Sequence, residues 1–247
     1  MPTYLDRKLV VPVVVSPCGS DACPVAPLTD ELLDSVSSVA VDDDRTWYRG
    51  GNSRFAFDEL VPGAGDSRFA PLPGTGHVYV GATRTVALLE SALHEASGPQ
   101  PTVYQAQLVG LAVAGVKLTI PVRLADLRDA QLDRMGVARK QLVNTTPAHY
   151  PCTRAWATQL QDHRVEDEPL HGILWHSRQA DLHAQANAGG VFADVVRHQA
   201  AEVAVLWHPH GPEQPLVQVE EPEHLVDDGV IAPIVVQLSG LIGAPIE

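Results

Sequence analysis

Residues His77 to Ser97 read HVYVGATRTVALLESALHEAS. A short run rich in β-branched and aromatic residues, HVYVGA, predicts a strand. From about Thr85 to Ala96 the pattern becomes helical: Val86, Leu89 and Leu93 share one face, with Ala92 and Ala96 beside them. Glu90 directly follows Ala87-Leu88-Leu89, next to this apolar stripe. A solvated glutamate at the edge of a packing face would look like this. So would a carboxylate aimed into a cleft, and periodicity leaves both readings open.

The chain around this strand and helix is mixed. Upstream, GNSRFAFDELVPGAGDSRFAPLPGTG carries many Gly and Pro residues without a sustained period, which predicts a long functional loop. Downstream, TVYQAQLVGLAVAGVKLTI predicts one or two strands with Gly110 and Gly115 as bulge or turn points. LADLRDAQLDRMGV and TRAWATQLQDH predict helices, whereas GILWHS, VAVLW and PLVQVE predict late strands. Near the start, Leu9 to Val15 is Val-rich and predicts a strand. Thr29 or Asp30 would cap a short helix bearing Leu32, Leu33 and Val36, and Val39 to Tyr48 would include a strand. With no internal repeat and no clear linker, the expectation is a single α+β domain.

Composition narrows the function classes. The 247 residues are 45% hydrophobic and 19% charged, enough for a sizeable core. A formal net charge of −13 would repel a phosphate backbone, so direct nucleic-acid binding is not expected. A few arginines focused in a pocket would still hold a small anion. No stretch is long and apolar enough to span a membrane, and Pro12 spoils the short N-terminal run as a signal core. Cys18, Cys23 and Cys152 form an odd, sparse set without a second pair at zinc spacing. They are expected to be free thiols in a reducing cytoplasm, with no metal.

Three segments, WYRGG, SRFAPLPGTGHVYVGATRTVALLESALHE and GILWHSR, together resemble the RES domain, a family named for its Arg, Glu and Ser. In that family an early Tyr-Arg precedes an Arg-aromatic step in a Gly/Pro-rich loop. A strand Tyr and a helix Glu follow, and a Ser at a strand end comes much later. Arg49, Arg68, Tyr79, Glu90 and Ser177 occupy those places, and the resemblance runs from about Thr46 to Pro212. The chain departs from the pattern at Ala70, at Gly50-Gly51 and at Trp175-His176. This resemblance divides the chain into an N-terminal extension (1–45), a catalytic domain (46–212) and a C-terminal strand/helix extension (213–247).

The resemblance implies a fold similar to ADP-ribosyltransferases: a mixed or antiparallel β core with flanking helices. It also implies a toxin that consumes NAD+ by cleaving the nicotinamide–ribose bond, with phosphate or water as acceptor. The alternatives are ADP-ribosyl transfer to a protein, or a degenerate RES fold kept for binding. A cognate antitoxin protein is the implied partner, and the sequence allows an oligomer without specifying one.

NAD+ chemistry gives each residue a task. The bond breaks through an oxocarbenium-like sugar and nicotinamide leaves neutral, so no general acid is needed. Arg49 and Arg68 suit the diphosphate, or an incoming phosphate, because guanidinium forks meet phosphate oxygens bidentately. Tyr79 would stack on nicotinamide or bond a ribose, and Glu90 would favour positive charge at the anomeric carbon and align the acceptor. Ser177 would bond phosphate or ribose rather than act as nucleophile; no Ser-His-Asp arrangement surrounds it. His176 and Arg178 would point away if that segment were extended. His208 and His210 lack a matched ligand set, Gly74 to Gly76 predict a turn, and Trp156 predicts a helix anchor.

Overall fold

The computed structural model describes residues 16–62, 66–94, 102–180, 201–207, 215–227, 229, 231–241 and 246. Leu9 to Val15, His208 and His210 lie outside the described residues. The strands are β1 (Ser38–Val41), β2 (Thr46–Asn52), β3 (Val61–Pro62), β4 (Gly76–Gly81), β5 (Leu111–Leu118), β6 (Val122–Asp126), β7 (Arg164–Val165), β8 (Glu168–Pro169), β9 (Gly172–His176), β10 (Glu202–Trp207), β11 (Leu216–Gln218) and β12 (Glu223–His224). The helices are α1 (Asp30–Asp34), α2 (Arg84–Glu90), α3 (Gln105–Leu108), α4 (Asp129–Arg134), α5 (Tyr150–Asp162) and α6 (Ile231–Leu241).

Ten of the described strands join one sheet, in the order β1-β6-β9-β10-β4-β2-β5-β11, with β3 on β4 and β12 on β5. Only β6 and β9 run parallel; the other pairings are antiparallel. This is the expected α+β class with a mixed core and flanking helices. Both flanks join the sheet, through β1 on β6 and through β11 and β12 on β5.

Alternation along the strands builds two cores. Trp47, Val78, Val80, Ala114, Leu124, Leu174, Leu206 and Leu216 form one cluster, drawn from strands across the width of the sheet. Strands so far apart in the order meet only because the sheet curls on itself. The other face packs Val113, Ile173, Trp175, Val203 and Val205 against α2 and α5.

Helix α2 lies unusually close to the sheet. A Cβ at Gly81 would stand 2.6 Å from Ala87 N, and one at Gly50 would stand 2.1 Å from Ser91 Oγ. Thr83 caps the start, accepting a hydrogen bond from Val86 N at 3.2 Å. The helix ends at Glu90 rather than running on to Ala96. Ser91 leaves the helical region and its hydroxyl donates back to Ala87 O, while Leu93 N donates to Leu88 O in a wider turn. Burial of Thr85 through Leu89 leaves no solvent face in this stretch, so the amphipathic reading was too polar.

Two other expectations change. Leu124 to Asp126 belong to β6, because they pair with β9, and the helix expected there shrinks to α4. The stretch expected as strand from Thr102 onward instead forms α3 first, leaving β5 as one strand after Gly110 turns the chain at φ +80°.

Strand β9 makes a sharp prediction. A Cβ at Gly172 would stand 2.1 Å from Val205 O, a backbone atom held in the β9–β10 ladder. Gly172→Ala should therefore lower stability by about 3 kcal/mol, the upper range for overpacking. Urea unfolding would register this as a lower midpoint at unchanged slope.

Candidate active site

The site forms where the end of α2, the end of β9, the loop before β4 and the start of α5 converge. Glu90 closes α2, and Ser177 follows β9 with no exposed surface. The Ser177 hydroxyl donates to Glu90 Oε1 at 2.5 Å and accepts from Ala180 N at 3.1 Å. Ser177 N also donates to Ala201 O at 2.8 Å. The serine is thus fully committed: it caps the turn that follows β9 and fixes one oxygen of the glutamate.

Arg68 lies nearby, buried, on the loop of residues 66–70. Its Nη2 donates to Thr145 O at 3.2 Å and its guanidinium sits 5.6 Å from the centre of the Tyr150 ring. Among the described residues its buried Nε has no hydrogen-bond partner and no carboxylate pairs with this side chain. A buried cation left in that state is costly until an anion arrives.

Tyr79 supports the Arg68 loop from beneath. Its hydroxyl accepts from Phe69 N at 3.0 Å and lies 3.0 Å from the Ser67 hydroxyl, which also donates to Ala70 O. Burial pushes the phenol up to about 12. The ring meets Trp175 edge-on at 5.9 Å, and Phe69 meets the same tryptophan at 5.1 Å. With its hydroxyl turned inward, Tyr79 positions Arg68. Tyr79→Phe should cost about 1–2 kcal/mol by leaving the Phe69 N–H unanswered, and thermal unfolding would measure it.

A charged network steadies the neighbouring strand ends. Glu202, almost fully buried, takes Arg45 at 2.7 Å and Arg128 at 2.8 Å, and Arg128 also grips Asp126 at 2.8 Å. It stands one residue past Ala201, whose carbonyl holds Ser177.

The family model for the RES domain matches residues 44–221, most of the chain. The chain belongs to the RES domain family. No curated relative matches it. Among solved structures, the M. tuberculosis MbcT–MbcA toxin–antitoxin complex is similar at 12% identity and a TM-score of 0.46, over 78% of this chain and 94% of that one.

Four of the five residues expected from the RES pattern fall into two pairs, and Tyr150 lies within electrostatic reach of Arg68 in one and Glu90 in the other. Glu90 and Ser177 touch, and Tyr79 carries the loop of Arg68. Arg49 is not brought into this cluster. Along β2, Gly50 faces α2, so alternation turns Arg49 to the opposite face with Trp47. There its Nη1 donates to Ala56 O, Phe57 O and Glu59 O at 3.1, 2.9 and 2.7 Å, and burial holds its pKa below the usual arginine value. In this RES domain Arg49 organises the loop after β2.

Two residues of the neighbourhood were missed by sequence reasoning. Tyr150, at the start of α5, lies within electrostatic reach of both Arg68 and Glu90, and burial raises its pKa, with Glu90 adding to the rise and Arg68 opposing it. Nothing in its spacing marks it, since it enters through tertiary packing. Arg178 also acts on Tyr150. The chain turns helical after His176, so the extended alternation expected there does not hold. His176 alone points away, toward Asp129 at 3.5 Å.

Proposed function

We propose that this RES domain binds NAD+ and cleaves its nicotinamide–ribose bond, passing the ADP-ribosyl group to phosphate or water. The observation that carries the reading is a buried guanidinium without a carboxylate partner among the described residues, Arg68, and a carboxylate fixed by a serine, Glu90, both within electrostatic reach of Tyr150. An anion is needed at the first and positive charge is favoured at the second. NAD+ supplies both, through its diphosphate and through the oxocarbenium-like sugar that forms as the bond breaks.

In this reading the Arg68 guanidinium takes a diphosphate oxygen, assisted by Arg178 at the rim. Glu90 Oε1 stays with Ser177, and Oε2 meets the ribose and the acceptor. The C–N electron pair leaves with nicotinamide, which departs neutral. A phosphate or water oxygen bonds the anomeric carbon, and a water acceptor gives its proton to solvent. Ser177 holds the glutamate at a fixed angle, which removes reorganisation from the barrier.

The setting follows from the same reading. NAD+ is plentiful in the cytoplasm, and a protein antitoxin covering the site would protect the host cell. Among the described residues no helix is long and apolar enough to cross a membrane.

The test is incubation of the purified chain with NAD+, with and without inorganic phosphate, following nicotinamide release and the sugar product. Release that depends on phosphate establishes phosphorolysis, and release without it establishes hydrolysis. Label transfer from NAD+ to a protein would instead establish the transferase. An absence of both turnover and NAD+ binding would overturn the enzymatic reading and leave a binding module.

A further inference from the structure

The three cysteines, scattered in sequence, converge in the fold. Cys18 and Cys23 lie in the loop before α1, and Cys152 lies in the first turn of α5. Their Sγ atoms all stand within 4.8 Å of one another, on the side of α5 that receives the N-terminal loop. Cys23 Sγ is 3.5 Å from Cys152 Sγ, and Cys18 N donates to Cys152 Sγ at 3.3 Å. A nitrogen stands at the edge of the group: His149 Nδ1 is 3.5 Å from Cys18 Sγ, without lying within 4.8 Å of all three sulfurs.

The three sulfurs are spaced closely enough to share one ion, and a turn of the His149 side chain would bring its nitrogen to the fourth corner. Bonds of about 2.3 Å to sulfur and about 2.0 Å to nitrogen, at tetrahedral angles, set sulfur–sulfur edges near ~3.8 Å and sulfur–nitrogen edges near ~3.5 Å. The donor set is soft, which selects zinc over magnesium or calcium. The backbone N–H that points at Cys152 Sγ suits a thiolate better than a thiol.

We propose that Cys18, Cys23, Cys152 and His149 bind one zinc ion in a structural Cys3His site. Binding ionises the thiols, and their protons leave to solvent. The absence of a metal expected from sequence is revised here, because the ligands come as two short pairs over a hundred residues apart. Cys18 and Cys23 enclose four residues, and His149 and Cys152 enclose two. The second pair mixes His with Cys, so a search for paired cysteines passes over it.

The site ties the N-terminal loop to the helix turn that backs the active site. Trp156 Nε1 donates to Ala26 O at 2.7 Å one turn further along α5. From the same first turn, Thr153 donates to Arg68 O and Tyr150 lies under the Arg68 guanidinium. Zinc would therefore steady the backbone that presents Arg68, although the site itself stands whatever substrate Arg68 binds.

The experiment uses the full chain, purified under reducing conditions without chelator. Elemental analysis should find one zinc per chain, and Cys23→Ser or Cys152→Ser should lose it. Since those variants could fail to fold, the parent chain is also stripped of metal, reduced and titrated with cobalt(II) alone. The expected result is the charge-transfer band and strong visible absorption of tetrahedral cobalt thiolate, displaced by zinc, with the visible bands shifted in His149→Ala. Unchanged bands in His149→Ala would remove the histidine from the proposal. No metal at purification, no cobalt spectrum and thiols that react equally with and without zinc would overturn it. So would zinc retained by both serine variants.

Discussion

Glu90→Gln is expected to reduce nicotinamide release by roughly 10²–10³-fold while the protein stays folded, the scale seen when one preorganised electrostatic group is lost. Glutamine keeps the shape and an oxygen able to accept the Ser177 hydroxyl, now at 2.5 Å from Oε1. What disappears is the negative charge facing the sugar. Stability should therefore move by less than about 1 kcal/mol, since a hydrogen bond is exchanged for one of the same geometry. The measurement is kcat under saturating NAD+, paired with thermal unfolding. A variant that unfolds early, or one that turns over at the parent rate, would remove Glu90 from the chemistry. Ser177→Ala should have a smaller effect, because it frees the carboxylate without neutralising it.

Arg68→Met is the second large effect, and it should separate activity from stability. Removing the guanidinium takes away the proposed anion contact, so kcat/KM for NAD+ should fall about 10²-fold or more, as expected when a charge-assisted contact is truncated. Yet the melting temperature should hold or rise. Arg68 is a buried cation whose Nε has no partner, and burying such a charge opposes folding by several kcal/mol before a ligand binds. The bond to Thr145 O and the contact with Tyr150 offset part of that cost. A marked loss of stability in Arg68→Met would make the arginine structural. The same assay on the parent chain should show NAD+ raising the melting temperature, with the gain absent in the variant.

Much of this architecture can be read from short local signals. HVYVGA alternates and becomes β4, Thr83 sits where a cap is needed, and GILWH and VAVLW are continuous apolar runs that become the buried strands β9 and β10. The Glu90 environment was not readable from periodicity. Thr85 to Leu89 of α2 are all buried, so its one carboxylate could not be placed by a polar face, and the RES pattern was needed to single it out. Arg49 shows the limit of pattern in the other direction. Its place in the motif is clear, but only strand alternation beside Gly50 reveals which face it takes. Tyr150, Arg178 and the cysteine cluster depend on chain segments brought together from far apart, and no local window contains that information.

Strands β2 and β4, central in the order, share a single register position, Tyr48 with Gly81, before β4 takes β3 as its neighbour. The sheet is therefore less a plate than two leaves on one pin. One leaf carries Tyr79 and leads into Ser177; the other carries Arg49 and its loop. Helix α2 lies across both, touching β2, β4, β5 and β10. Because α2 packs on both leaves, it is the clasp that keeps them together, and Glu90 at its end reaches Ser177 on the first leaf while the helix stays anchored to the second. The alignment of the carboxylate is thus set by how one short helix bridges a weakly paired seam in the sheet.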